Sequence, residues 1–291
     1  MRILILGASG HLGSRLFVIL QKYGSVSGTF NTNGFVSDNM AYWDGDSKLL
    51  LHILTKFKPE LIINCSGFAE VDQSEIYPEK AFYLNAIIPY YISSVCQELN
   101  IKYVHISTDH YIGEKSLLLE EEMSVTCPNI YSSSKLLGEN YVLTANSESI
   151  ILRANFFHFS KNKSDNFLDR CLNQPNDGAE IYGFQDIFFT PVSTIYLTSA
   201  IIDLVNQNFK GLIHVASSER ISKYNFLMEI FRLMNKNSAV IHPRNWRDGQ
   251  LTATRPEDMS LSNRMYRRLV NKSIPSISEM IKTELEFAEI V

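Results

Sequence analysis

The chain has 291 residues, 45% of them hydrophobic, with a net charge of −4 at pH 7 and a pI near 6.0. That length buries a sizeable core and fits one large domain or a domain plus a smaller one. The charge balance offers no global basic field for nucleic acid, and no apolar run approaches a membrane span. Arg2-Ile3-Leu4-Ile5-Leu6 reads as a short buried strand, and Leu12, Leu16, Ile19, Leu20 and Tyr23 then recur with a helical period. Between them lies Gly7-Ala8-Ser9-Gly10-His11-Leu12-Gly13. Glycines in a strand-to-helix turn let backbone N–H groups approach a pyrophosphate, and the helix dipole favours its charge. Gly7, Ser9, Gly10, His11, Leu12 and Gly13 are therefore candidate dinucleotide-binding residues.

A second strand is expected at Val26–Phe30, past whose end a cofactor-selecting residue usually sits. Asn31, Thr32 and Asn33 stand there, with no carboxylate to bind a ribose 2′-hydroxyl. Loss of that acid removes the repulsion of a 2′-phosphate and favours NADPH, with NADH as the alternative; Arg15 is the arginine available to it. Asp46 or Ser47 should cap a helix carrying Leu50, Ile53, Leu54 and Phe57. Glu60–Cys65 reads as the next strand, Pro78–Asn100 as one long helix, and Ile101–Thr108 as a strand. Strands alternating with amphipathic helices predict an α/β fold, a doubly wound parallel Rossmann sheet, with ligands at the C-terminal strand ends.

The strand ending in Ser107-Thr108-Asp109 and the helical stretch Tyr131-Ser132-Ser133-Ser134-Lys135 carry the chemistry. Tyr131 and Lys135 are four apart and share a helix face. An ammonium beside a phenol stabilises the phenolate and lowers a pKa that is normally about 10. A hydroxyl at the strand end can hold the oxygen that receives the proton.

Further along, Ser149–Arg153 and Gly211–Ala216 read as strands and Val192–Val205 as a helix. A helix begins at Ser222, a short strand covers Ala239-Val240-Ile241, and Ser276-Ile277-Ser278-Glu279 is a capping box for the final helix. Residues 156–185 are irregular, with one helix expected near 166–173. The division expected is 1–155 with 186–217 as the dinucleotide-binding domain, and 156–185 with 218–291 as a smaller substrate domain. Cys65, Cys96, Cys127 and Cys171 lie far apart without zinc-binding spacing and read as reduced thiols of a cytosolic protein. The N-terminal apolar run is too short for a signal peptide, so the expected location is cytoplasmic. Arg264, Arg267, Arg268 and Lys272 read as a solvated helix face.

These motifs together resemble the extended short-chain dehydrogenase/reductase superfamily, and within it the dTDP-4-dehydrorhamnose reductase family. The resemblance spans nearly the whole chain. It rests on Gly7–Gly13, Asn64–Phe68 with Val71-Asp72, Asn85-Ala86, Ser107-Thr108-Asp109, Tyr131 and Lys135 with Gly138-Glu139, Leu152-Arg153, Thr190-Pro191-Val192, Arg255-Pro256 and Ser260-Leu261. It implies NADPH-dependent reduction of the C4 keto group of a nucleotide-linked 6-deoxy-4-keto sugar, in deoxysugar or surface polysaccharide biosynthesis. Tyr131 would protonate the alkoxide, Lys135 would bind the nicotinamide ribose and lower the Tyr131 pKa, and Thr108 would hydrogen-bond the carbonyl oxygen. Ser107 would support the strand end. Asp44 would lie near the adenine, Cys65, Ser66 and Gly67 along the cofactor, and Asp109, His110, Phe156 and Arg255 at the sugar nucleotide.

Two positions depart from the family pattern. His110 replaces a Tyr and Phe156 replaces a Trp, both where the hexose would lie. The superfamily's dehydratases place Asp-Glu after the Thr, whereas this chain has Asp109-His110; dehydratase or epimerase chemistry is thus the alternative, as is a non-catalytic cofactor-binding regulatory subunit. No metal is expected: Glu279, Glu284, Glu286 and Glu289 could be read as a Mg²⁺ tail, but a solvated final helix explains three of them. The expected assembly is a monomer or homodimer.

Overall fold

The computed structural model describes residues 1–32, 38–113, 118–159, 168, 180–236, 240–248 and 251–290. Asn33, Cys171, Ala239 and nearly all of the helix expected near 166–173 lie outside them.

The described chain forms a seven-stranded sheet built from β1 (Arg2–Leu6), β2 (Ser25–Phe30), β3 (Met40–Tyr42), β4 (Leu61–Asn64), β5 (Lys102–Ile106), β6 (Ile150–Arg153) and β7 (Gly211–His214). Its order is β7-β6-β5-β4-β1-β2-β3. The pairings from β6 through β3 are parallel. The chain first adds β2 and β3 on one side of β1, then crosses back to place β4 on the other. That reversal opens a crevice beyond the C-terminal ends of β1 and β4, where doubly wound sheets bind ligands. The expected Rossmann sheet is present, with β3 as an edge strand that the short, mixed run Met40-Ala41-Tyr42 did not reveal.

Helix α1 (His11–Ile19) follows β1, and α2 (Ser47–Phe57) follows β3. The Asp46 carboxylate caps α2 by accepting from Leu49 N at 2.8 Å, and Lys58 ends it in the left-handed region at φ 47°. Leu50, Ile53 and Leu54 turn one face of α2 onto the core formed with Leu4, Leu6, Ile62, Ile92, Tyr103 and Ile151. Each such fully buried aliphatic side chain stabilises the fold by about 1.5–3 kcal/mol.

The long helix expected over 78–100 is interrupted. After α3 (Val71–Ile76) come α4 (Pro78–Phe82), a π-helical turn at Tyr83–Ile87, and α5 (Ile88–Glu98). Pro89 has no N–H to donate to the Asn85 carbonyl four residues back, so the regular ladder cannot pass this point. α6 (Ile130–Ala145) packs tightly there: a Cβ added at its Gly138 would lie 2.0 Å from Asn85 O. Asn129 and Ser132 cap α6 reciprocally.

The chain divides into two compact units, 1–108 with 127–153 and 198–213, and 109–126 with 154–197 and 214–291. Besides 154–155, 186–197 and 214–217, the difference from the sequence-based division is segment 109–126. Leu119 explains it: its N–H donates to Ser260 O at 2.8 Å and its carbonyl accepts from Ser262 N at 2.7 Å. In the second unit, Val192–Ser193 is a strand paired with Phe156–Phe157, not the start of a helix, which begins at Thr194. Ser222 caps the helix Lys223–Leu233, Ile241–Arg244 pairs with Ile181–Phe184, and Glu279 closes the capping box with Ser276. The final helix is not wholly solvated: Glu284 is fully buried, accepting from Thr194 Oγ1 at 2.6 Å and Ile195 N at 3.0 Å. Lys272 lies past the left-handed Asn271 that ends the helix Arg264–Val270, so the four cations do not all share one helix.

Candidate active site

The site in the first unit begins at the turn after β1. Gly7 adopts φ +78°, and a Cβ there would sit 2.9 Å from Ser66 N. A Cβ at Gly13 would lie 2.1 Å from Gly7 O. Only glycine fits either position. Gly10 occupies the N-cap of α1 and gives it no side-chain cap, and a helix N-terminus of this kind favours anionic oxygens. Ser9 is half-buried, His11 exposed and Leu12 buried in the core. Asn31 and Thr32 are exposed just past β2, while Arg15 is buried in α1. Asp44 is exposed beyond β3, where its Oδ1 accepts from Asp46 N at 3.0 Å.

The end of β4 is tied to both the sheet and α6. Asn64 Oδ1 accepts from Ser66 N at 3.1 Å and Ser66 Oγ at 2.5 Å, and its Nδ2 donates to Tyr103 OH at 3.1 Å. Asn85 binds both backbone groups of Phe68, at 2.8 and 3.0 Å, and donates to Ser134 Oγ at 2.9 Å. The strand-end loop holding Cys65, Ser66 and Gly67 is thereby fixed against the helix that carries Tyr131 and Lys135. Burial pushes the Cys65 thiol up to about 12, so it is a packing group, not a nucleophile.

Thr108, 4% exposed, lies just past β5. Tyr131 is half-buried at the start of α6, and Lys135 is buried one turn later. Lys135 Nζ donates to Ile106 O at 2.7 Å, which joins the helix to the strand end two residues before Thr108. Burial pushes Lys135 down to about 8, while Glu139 pulls it up. Glu139 in turn takes two hydrogen bonds from Arg153, at 2.9 and 2.6 Å, and one from Ser107 Oγ. Ser107 is thus bound into the support beneath the site. His105 on β5 stays uncharged because burial holds it well below the ordinary histidine range, as does the Lys135 charge.

In the second unit, Asp109 and His110 are grouped with residues far along the chain. The Asp109 carboxylate accepts from Asn155 Nδ2 at 2.8 Å; burial raises its pKa while Lys223 pulls it down. Burial pushes His110 down to about 3, helped by the charges of Lys223 and Arg255. Arg255 Nη1 donates to Ala253 O at 3.2 Å. Phe156 is half-buried in its two-residue strand. The structure therefore groups Asp109, His110 and Arg255. It adds Asn155 and Lys223, which sequence reasoning missed; only helix-cap Ser222 marked that neighbourhood in advance. Asn64 and Asn85 were visible as motif residues, and their structural roles emerge here.

A hydroxyl just past the strand end, a buried ammonium bonded to that strand and a phenol one helical turn before the ammonium suit proton delivery to a developing alkoxide. Comparisons with known proteins bear on the family of the chain. A family model described as the RmlD substrate binding domain matches residues 1–289. A probable low-salt glycan biosynthesis reductase of Haloferax volcanii is 26% identical over 259 residues, 87% of this chain and 86% of that protein. The structure of a hypothetical dTDP-4-dehydrorhamnose reductase from Sulfolobus tokodaii aligns with a TM-score of 0.81 at 30% identity, covering 94% of this chain and 96% of that one. A Bacillus anthracis dTDP-4-dehydrorhamnose reductase in complex with NADP gives 0.85 at 23%, covering 98% and 99%. By sequence and by fold, this chain belongs to the family of the RmlD substrate binding domain.

Proposed function

We propose that the protein reduces the C4 keto group of a nucleotide-linked 6-deoxy-4-keto sugar with NADPH, in the cytoplasm, for glycan biosynthesis. The observation that carries this reading is the Lys135–Ile106 bond, which anchors the Tyr131 helix to the strand end bearing Thr108. The turn fits a dinucleotide: a Cβ at Gly7 or Gly13 would fill the close approach, and the amides of α1 carry no side-chain cap. Its diphosphate would lie at Gly10–Leu12, with Asn31 toward the adenosine ribose, Asp44 toward the adenine, and Ser66 and Gly67 along the chain of phosphates and ribose. The nicotinamide supplies the hydride.

Tyr131 donates its phenolic proton to the oxygen of the reduced carbon. Lys135, already desolvated, steadies the phenolate left behind. Thr108 donates to the same oxygen as charge develops on it, a contribution of the oxyanion-hole kind. The missing carboxylate at His110 weighs against dehydratase chemistry.

The test is Tyr131→Phe, assayed by NADPH oxidation with dTDP-4-keto-6-deoxyglucose and its C3/C5 epimer. Loss of turnover by roughly 10²–10⁴-fold with unchanged NADPH affinity is expected. Turnover within a few-fold of wild type would show that Tyr131 is not the proton donor.

A further inference from the structure

Lys223 is a cation that neither the glycine turn nor the Tyr/Lys pair uses. It is the first residue of the helix Lys223–Leu233, and its N–H donates to Ile187 O at 3.0 Å. Its ammonium lies 3.4 Å from the ring centroid of Phe189, a buried residue packed edge-on against Phe226 at 5.3 Å. Lys223 is half-buried, and an aromatic face occupies one side of its ammonium. Asp109 is near enough for each charge to shift the other's titration, yet no salt bridge joins them. Among the described residues, no oxygen accepts a hydrogen bond from Lys223 Nζ. A half-buried ammonium with open donors can take hydrogen-bond acceptors from a ligand.

The charges nearby are unequal. Lys223 and Arg255 act on His110, which is uncharged, and Asp109 is the carboxylate of the cluster. Asp109 has one oxygen engaged by Asn155. A ligand hydroxyl satisfies both remaining partners, accepting from an ammonium and donating to a carboxylate. Asp109 directly follows Thr108 in the chain, which favours the sugar ring over the diphosphate as the group it meets.

We propose that Lys223 is a specificity-determining residue that, together with Asp109, holds a hydroxyl of the hexose. This assignment rests on the reading of Thr108 as the carbonyl ligand. It explains why a lysine, and not an apolar side chain, opens this helix against Phe189.

The experiment is calorimetric titration of the NADP⁺-loaded protein with dTDP, UDP, dTDP-glucose and UDP-glucose. Lys223→Gln should weaken the glucosides roughly 10- to 100-fold, the range of a hydrogen bond to a charged group, and leave the free diphosphates unchanged. Lys223→Arg should recover part of the loss. Asp109→Asn, which retains an oxygen for Asn155, should give the same split and covers the case in which Lys223→Gln misfolds. Equal weakening of diphosphate and glucoside would assign the cation to the diphosphate and overturn the proposal, as would no change in either. Wild-type protein that binds none of the four would overturn both the proposal and the reductase reading. A clean hexose-only effect without ketone turnover would overturn the reductase reading alone.

Discussion

The two units build their polar groups in different ways. In the first, the chemistry rests on contiguous motifs at strand ends, supported by buried, hydrogen-bonded side chains: Lys135 on Ile106 O, Glu139 on Arg153 and Ser107, Asn85 on Phe68 and Ser134. In the second, Asp109, Asn155, Lys223 and Arg255 come from four segments far apart in the chain, and Lys223 carries no hydrogen-bond acceptor on its ammonium among the described residues. The first arrangement suits a reaction common to a family. The second can change one residue at a time, and it is where the sugar would be chosen.

Substitutions should separate the two. Thr108→Val is expected to lower kcat roughly 10²–10³-fold with little change in the sugar-nucleotide KM, as for loss of an oxyanion donor. A raised KM with kcat intact would make Thr108 a binding residue like Lys223 and erase the contrast. Glu139→Ala should cost about 3–5 kcal/mol in denaturant unfolding, because Arg153 would be left buried without its carboxylate. A loss under about 1 kcal/mol would mean that the support beneath the site is not needed.

A smaller effect comes from pH, with one histidine in each unit. His105 and His110 are held below their unfolded pKa, so between that pKa and the folded one the unfolded state binds more protons. Stability should therefore fall as pH drops below about 6.5, by about 1.4 kcal/mol per pH unit for each histidine. Urea midpoints at pH 7.5, 6.5 and 5.5 would report it. His105→Gln and His110→Gln should each remove their own share, and a flat profile in the wild type would contradict the buried, neutral state of both.

Much of the first unit was legible in the sequence because its signals are local. The apolar run, the glycine spacing and the helical period after Leu12 all lie between Arg2 and Tyr23, and Tyr131 with Lys135 needs one helical turn. The α4–α5 interruption was missed because the apolar period runs on through it, although Pro89 marks where the backbone ladder fails. Val192–Ser193 read as helix because its apolar residues continue the period of the next segment; only pairing with Phe156–Phe157 makes it a strand. Glu284 looked like a surface acid, and a partner ninety residues earlier, Thr194, buries it. Lys223 has no sequence signature at all, since its neighbours Asp109 and Phe189 are brought to it by the fold.

The central claim is a ketone reduction supported by Thr108, Tyr131 and Lys135. Its most direct test is oxidation of NADPH and NADH by the purified protein given dTDP-4-keto-6-deoxyglucose or its C3/C5 epimer. Fast oxidation of NADPH with one epimer, and an NMR spectrum of the product showing a new C4 proton, is the predicted result. Tight NADPH binding without oxidation on either sugar would contradict reduction of these ketones and turn attention to the regulatory alternative.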